Sequence, residues 1–162
     1  MKPDVQILYN RFRKLDRTEC GYLTKIDFLM IPELGVNPIG GRIVDLFFQK
    51  EIEMDFRQFL STLSIFNTVS DDDNDLQNYL RSRFLFDLYD VDNKGVVKFE
   101  DIFTMFSLIY GDNISMEKIR TLSAKLLDST DSNGSGEISF DAFLKFTDSK
   151  EVSENLSVSF RK

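Results

Sequence analysis

Two stretches of the sequence carry oxygen-bearing side chains at every second position, each just ahead of a glycine. The residues are Asp90 and Asp92 before Gly95, and Asp131, Asn133 and Ser135 before Gly136. Carboxylate, amide and hydroxyl oxygens at this spacing are the ligands that Ca²⁺ takes from a short loop, and the glycine allows the sharp turn that such a loop needs. The pattern therefore predicts loops built on a calcium-binding plan.

The composition excludes most catalytic chemistry. The 162 residues include no His and a single Cys, Cys20. Without an imidazole there is no Ser-His-Asp triad, no His general base and no HExxH zinc site. One thiol forms neither an internal disulfide nor a cysteine zinc cluster. We therefore expect a protein that is not an enzyme.

Charge and hydropathy disfavour two further classes of protein, those that bind nucleic acid and those that span a membrane. The net charge of −7 disfavours nucleic acid as a partner, because its phosphates would be repelled by such a surface. No stretch reaches the roughly 20 apolar residues that a membrane helix requires. We expect a reduced, cytoplasmic protein that reaches a membrane only when a partner recruits it.

Amphipathic helices must flank these loops to position them. Apolar residues recur at helical spacing around residues 90–101 and 131–142, and the same pattern surrounds 16–27 and a degenerate stretch near 48–58. Three of the four loops have Gly at position 6 and an apolar residue at position 8. Helix-loop-helix units of this kind are EF-hands. The predicted fold class is all-α, with four EF-hand units paired into two lobes.

The four units group into two pairs along the chain. The predicted divisions are an N-terminal pair at 1–66, an acidic linker at 67–78, a C-terminal pair at 79–147 and a tail at 148–162. The linker assignment depends on the polar, acidic run that ends at Asp75. The last Asp or Asn of this run is also a candidate cap for a helix that begins at Leu76.

The third and fourth loops are the candidate metal sites. Their predicted ligands are Asp90, Asp92, the backbone carbonyl of Val96, Asp101, Asp131, Asn133, Ser135 and the backbone carbonyl of Glu137. Both loops lack the bidentate Glu that position 12 normally supplies. We expect their Ca²⁺ affinity to be weaker than that of sensor proteins, on the order of 10⁻⁴ M or too weak to measure.

Each loop departs from the ligand pattern in its own way. Lys94 and Lys98 replace two oxygens of the third loop, and Ala142 occupies position 12 of the fourth. In the first loop, Cys20 offers a soft sulfur that Ca²⁺ does not favour. The second loop begins with Phe and ends with Gln58, so we expect no metal there.

An alternative is that the loops are structural remnants. Their Asp, Asn and Ser residues would then cap helices and turns without any ion. Thr24 and Asp27 illustrate this alternative, because they are spaced as the two partners of a capping box.

Sequence details around the loops resemble a known family. Residues 11–16, Arg-Phe-Arg-Lys-Leu-Asp, are similar to the entry of the first EF-hand of calcineurin B. Ile-Pro-Glu-Leu at 31–34, with Asn-Pro at 37–38, resembles the segment that joins the first two hands in calcineurin B and the calcineurin B homologous proteins. Residues 39–48 and the ending at 156–160 are similar to the homologous proteins. The resemblance covers nearly the whole chain.

The resemblance implies a regulatory or scaffolding subunit that clamps an amphipathic helix of a partner in a hydrophobic groove. In calcineurin B the helix belongs to the phosphatase catalytic subunit, and in the homologous proteins to the cytoplasmic part of Na⁺/H⁺ exchangers. It also implies a myristoylated arm that begins Met-Gly, whereas this sequence starts Met1-Lys2. The alternative function is a free-standing calcium sensor or buffer.

The 16 Phe residues make such a groove physically reasonable. A Phe on an amphipathic helix usually belongs to the core, but two four-helix lobes rarely need so many large apolar side chains unless a partner covers some of them. Few of the predicted groove residues are Met, which favours a dedicated partner over a promiscuous surface. The candidate groove residues are Phe103, Met105, Phe106, Ile109, Leu122, Leu126, Phe143 and Phe146.

Overall fold

The structure, a computed structural model, describes four stretches of the chain: 5–49, 51–66, 75–131 and 133–148. The chain divides into two units, Met1–Arg81 and Ser82–Lys162. The division falls inside a helix that spans Asp75–Tyr89. Each unit has its own hydrophobic core.

The N-terminal unit contains two successive EF-hands, each a helix, a loop and a helix. Its elements are α1 (Val5–Leu15), β1 (Tyr22–Thr24), α2 (Lys25–Leu29), α3 (Pro32–Gly35), α4 (Gly40–Phe48), β2 (Glu53–Asp55) and α5 (Phe56–Ser64). Pro32 occupies the start of α3, where its missing N–H has no helical partner to lose.

The C-terminal unit repeats the same plan with longer helices. Its elements are α6 (Asp75–Tyr89, shared with the first unit), β3 (Val96–Lys98), α7 (Phe99–Tyr110), a 3₁₀ turn (Gly111–Asn113), α8 (Met116–Thr130), β4 (Glu137–Ser139) and α9 (Phe140–Asp148). None of the helices in the described stretches combines the length and the apolar character that crossing a membrane requires.

Short antiparallel strands join the two loops of each unit. Strand β1 pairs with β2 so that Leu23 lies opposite Met54, and β3 pairs with β4 so that Val97 lies opposite Ile138. All four side chains are buried, because position 8 of each loop points into the core. The helices around paired loops confirm the predicted all-α fold of EF-hand units.

Aromatic side chains fill the core of the N-terminal unit. Phe12, Phe28, Phe48 and Phe59 are all almost fully buried there. Their rings meet edge to face, with centroids 5.4 Å apart for Phe28 and Phe48 and 5.6 Å apart for Phe12 and Phe59. Much of the Phe surplus in the first half of the chain therefore serves packing within this unit.

The core of the C-terminal unit is built around Phe86. This ring is fully buried and lies edge to face against Phe140 and Phe143, at centroid distances of 5.5 and 5.7 Å. Ile102 and Val97 complete the buried cluster together with Ile138. The core of the unit is thus joined through side chains from α6, α7, β3, β4 and α9.

The predicted acidic linker needs one correction. Residues 75–78, included in the predicted linker, form the first turn of α6, in agreement with the helix predicted to begin at Leu76. Asp75 lies in that first turn, where a carboxylate interacts favourably with the helix dipole. The remainder of the predicted linker, 67–74, lies outside the described residues, as does the predicted tail beyond Asp148.

Candidate functional site

The third loop closes around a buried carboxylate at its first position. Asp90 is only 2% exposed, and its two oxygens accept the backbone N–H groups of Lys94 at 3.0 Å and Gly95 at 2.7 Å. Gly95 has a φ of +80°, a conformation that residues with a Cβ rarely adopt. The turn of this loop is therefore held by hydrogen bonds to Asp90.

Two lysines of the third loop form ion pairs, one within the loop and one with the fourth loop. The ammonium group of Lys94 contacts the carboxylate of Asp92. Its hydrogen bond and positive charge lower the pKa of Asp92 below the ordinary value. The Lys98 ammonium lies 2.9 Å from the Glu137 carboxylate of the fourth loop. At the last ligand position, Asp101 accepts the backbone N–H of Lys98 at 2.9 Å.

The fourth loop keeps oxygens where a cation would need them. Asp131 accepts the N–H groups of Ser135 at 3.1 Å and Gly136 at 2.6 Å. The Ser135 hydroxyl donates to the backbone carbonyl of Glu137 at 2.9 Å. The side-chain oxygen of Asn133 lies 3.1 Å from the Ser135 nitrogen. The structure thus brings these four predicted ligand residues together around one turn.

In the first loop a sulfur atom lies among the oxygens. The Sγ of Cys20 is 3.4 Å from the Asp16 carboxylate, 3.2 Å from the Thr18 hydroxyl and 3.3 Å from the carbonyl of Tyr22. Those three oxygens occupy positions 1, 3 and 7 of the ligand pattern. A hard cation binding there would have to accept or displace a soft thiol, so this loop does not suit Ca²⁺.

Position 12 caps a helix in three of the loops. Asp27 accepts both the N–H (2.8 Å) and the hydroxyl (2.7 Å) of Thr24. Asp55 and Gln58 form a reciprocal capping box at the start of α5, with both hydrogen bonds at 2.8 Å. Asp101 accepts the N–H of Lys98 ahead of α7, a one-way bond, because the lysine side chain has no acceptor to return it. These residues satisfy helix N-termini through side chains that in a calcium-loaded loop would face the ion.

The four loops differ in how well they fit Ca²⁺. Within the part of the chain that the structure describes, no three Asp, Glu, Cys or His side chains form a group able to hold a metal. The fourth loop has suitable oxygens and no positively charged side chain at a ligand position, but its position 12 is the methyl group of Ala142. The third loop fits poorly, because a lysine ammonium already contacts one of its carboxylates.

Restoring the missing ligand should strengthen the fourth loop. We expect Ala142→Glu to tighten Ca²⁺ binding at this loop at least tenfold, because a bidentate carboxylate completes the oxygen shell. Isothermal titration calorimetry of the full chain measures the Ca²⁺ affinity. The Gly136 amide resonance, followed in a parallel NMR titration, shows that the ion binds at the fourth loop. The exposed neighbour Asp141→Glu is the matched control and should leave the affinity unchanged. Equal affinities for the two variants would contradict the assignment of Ala142 to position 12.

Acid should weaken the C-terminal unit through Asp131. The N–H of Gly136 is the main cause that lowers the pKa of Asp131 below its ordinary value of 3.8. Since the folded-state pKa is the lower one, Asp131 contributes stability above about pH 4, and that contribution is lost as the pH falls through the folded-state pKa. Urea unfolding followed from about pH 5 to about pH 2 should show a falling midpoint.

The matching substitution is Asp131→Asn, which removes the titrating group but keeps an amide oxygen as acceptor. Its urea midpoint should depend less steeply on pH than that of the wild type. Asp141→Asn, at an exposed position in the same unit, should retain the wild-type slope. An unchanged slope for Asp131→Asn would show that the hydrogen bonds of Asp131 carry no pH-dependent stability.

The predicted groove residues lie on α7, α8 and α9 with different exposures. Phe106, Leu126 and Phe143 are half-buried and pack against the core cluster. Phe103 is also half-buried; its ring stacks on Phe99 at 6.0 Å. Leu122 and Phe146 are half-buried as well, and Ile109 is 41% exposed. Seven of the eight predicted residues therefore retain some accessible surface.

The prediction that Met105 lines the groove is wrong. Its side chain has no accessible surface, because it faces the interior of the C-terminal unit from the middle of α7. Helical spacing alone placed it beside Phe106, but the two side chains are about 100° apart around the helix and meet different surroundings.

Three exposed apolar residues near the groove were not predicted. They are Leu108, Tyr110 and Met116, at the end of α7 and the start of α8. The hydroxyl of Ser115 accepts the N–H of Lys118 at 3.3 Å and so marks the start of α8. That capping pattern could have placed Met116 in the exposed first turn. With Ile109, these residues form the set of exposed apolar positions at this end of the unit.

Comparison with known proteins agrees with the EF-hand geometry. A family model described as an EF-hand domain pair matches residues 79–147. A calcineurin B from Naegleria gruberi is 31% identical over 96% of this chain and 85% of its own length. The type 2 calcineurin B of Dictyostelium discoideum is 32% identical over 97% of this chain and 84% of its length. The chain belongs to the calcineurin B family. A calcineurin B from Candida glabrata is 28% identical over 98% of the chain.

Membership of the calcineurin B family confirms two predictions from the sequence. The relatives are calcineurin B proteins of EF-hand type, so the chain is a regulatory-type subunit and not an enzyme. The EF-hand fold implies calcium binding as a property of the class. In this calcineurin B family chain, the four loops differ in their ligands, as described above, and the fourth has the most suitable oxygens.

Proposed function

We propose that the chain clamps an amphipathic helix of a calcineurin-type phosphatase catalytic subunit. The relatives align over nearly the whole chain, and their names identify them as calcineurin B. The observation that carries the proposal is the exposed apolar side chain of Ile109, near the end of α7, which a partner helix would cover. Half-buried Phe103 and the other predicted groove residues with accessible surface, Met105 excepted, would line the contact.

The proposal includes weak calcium binding. Cys20 in the first loop, the lysines of the third and Ala142 in the fourth each remove or oppose an oxygen ligand. A protein of this kind would hold its partner with little dependence on Ca²⁺. We also propose that it acts in the cytoplasm and reaches membranes only with its partner.

Co-expression tests the choice of partner. The full chain is produced with a calcineurin catalytic subunit and, separately, with the cytoplasmic helix of a Na⁺/H⁺ exchanger, and each mixture is passed over a size-exclusion column. The proposal predicts a one-to-one complex with the catalytic subunit. A complex with the exchanger helix alone would assign the other partner class, and a monomer in both mixtures would favour a free-standing calcium sensor or buffer.

A further inference from the structure

Two lysines stand at ligand positions of the third loop. Lys94 occupies position 5 and Lys98 position 9 of residues 90–101. The Lys94 ammonium contacts the carboxylate of Asp92 within the loop. The Lys98 ammonium lies 2.9 Å from the carboxylate of Glu137, its direct partner across the β3–β4 pair. Both lysines therefore make ion pairs at places where a loaded loop would present oxygen to a metal.

The positive charges at the ligand positions of the third loop nearly balance the negative ones. Asp90, Asp92 and Asp101 supply three negative charges, and Lys94 and Lys98 supply two positive ones. The net charge of minus one at these five positions equals that of a three-carboxylate loop that has bound a divalent cation, with the Lys98 ammonium shared with Glu137 of the fourth loop. The ligand positions of the loop therefore carry the formal charge of a loaded loop without any ion.

The carboxylates of this loop are already satisfied by the protein. Asp90 accepts two backbone N–H groups, and Asp101 accepts the N–H of Lys98 at the start of α7. Asp92 is paired with Lys94. No carboxylate at a ligand position of this loop therefore depends on a metal for a partner.

We propose that the ammonium groups of Lys94 and Lys98 take the place of a divalent cation in the third loop, so that the C-terminal unit keeps its paired loops without metal. Lys98, like any lysine, is charged at neutral pH, and its 2.9 Å ion pair with Glu137 joins the third loop to the fourth. The hydrogen bond and the charge of Glu137 raise the pKa of Lys98 further. The inference goes beyond the clamping of a partner and does not require a partner to be present.

The first test uses the wild-type full chain in a ¹H–¹⁵N spectrum. The amide of Gly95 reports on the third loop and that of Gly136 on the fourth, since each donates to the Asp at position 1. CaCl₂ is titrated to about 10 mM, beyond the range of weak EF-hand sites. We expect the Gly95 resonance to stay in place throughout the titration. We also expect the amide resonances of the C-terminal unit to be well dispersed in EDTA. A Gly95 shift with a midpoint below about 1 mM, or loss of dispersion in EDTA, would overturn the proposal.

The second test restores oxygens at both positions with Lys94→Asn/Lys98→Ser. The three carboxylates then lack a compensating charge, so we expect Ca²⁺ to shift the Gly95 amide with an affinity at least tenfold above that of the wild type. Lys118→Asn/Lys125→Ser, which removes two exposed lysines of α8, is the matched control and should gain nothing. A folded loop variant without a calcium response would refute the exchange of cations.

The loop variant also separates a folding defect from a wrong proposal. The amide resonances of the loop variant can lose their chemical-shift dispersion in EDTA and regain it on addition of CaCl₂. That result would show that the variant needs the ion to fold and that the lysines replace it in the wild type. If the variant is unfolded in both conditions, the wild-type titration with EDTA and CaCl₂ decides. Neither measurement contains a partner helix, so failure here leaves the proposed clamping function to its own test.

Discussion

Replacing Ile102 with alanine should lower the free energy of unfolding of the C-terminal unit by about 2–5 kcal/mol. Ile102 has no accessible surface and lies in the cluster with Phe86, Val97 and Ile138. Truncation removes buried methyl groups and leaves a cavity, since close-packed neighbours relax only in part. Urea unfolding, followed by circular dichroism, measures the loss.

The control is the same truncation two turns further along α7, on nearly the same side of the helix. Ile109 also lies on α7 but is 41% exposed. Ile109→Ala should change the free energy of unfolding by about 0.5 kcal/mol or less, because little packing is lost there. Equal destabilisation by the two variants would mean that Ile109 belongs to the core and is not available to a partner.

Placing a carboxylate at Ile109 should weaken the binding of the partner helix at least tenfold, equivalent to about 1.4 kcal/mol. In the proposed complex the Ile109→Asp side chain would lose its water inside an apolar contact without a counter-charge. In the free protein the same side chain stays in water, so the fold should be kept. Titration of the catalytic-subunit helix into the full chain measures the ratio of affinities.

Val36→Asp is the matched control for this experiment. Val36 is 83% exposed and lies in the N-terminal unit, outside the predicted groove. Its substitution should leave the affinity for the helix unchanged. If Val36→Asp weakens binding as much as Ile109→Asp does, the effect comes from net charge and the proposed contact surface is wrong.

The fold was predictable because the EF-hand pattern repeats at several levels. Gly95 and Gly136 mark the turns, and the apolar residues at position 8 mark the strands that pair the loops. Each of these signals depends on backbone geometry within a dozen residues, so a single sequence contains it. The start of α6 was predicted at Leu76, one residue from its place at Asp75, but the linker was extended to 78 because an acidic residue is compatible with both a linker and a first helical turn.

The details of the site depend on contacts that the spacing does not encode. The sequence shows that Lys98 replaces a ligand, but only the strand register places it opposite Glu137. The sequence likewise shows a short Asp at position 12, but the structure shows that Asp101 bonds to the N–H of Lys98. The burial of Met105 depends on which side of α7 faces the other helices of its unit.

A calorimetric titration tests the calcium-independent clamping of a partner helix most directly. The calcineurin B-binding helix of the phosphatase catalytic subunit is titrated into the wild-type full chain, once in EGTA and once in CaCl₂. Calcium-independent clamping predicts one-to-one binding in both solutions, with dissociation constants that agree within about threefold. Absence of binding in both solutions would contradict the clamping function, and binding that requires CaCl₂ would contradict its independence of calcium.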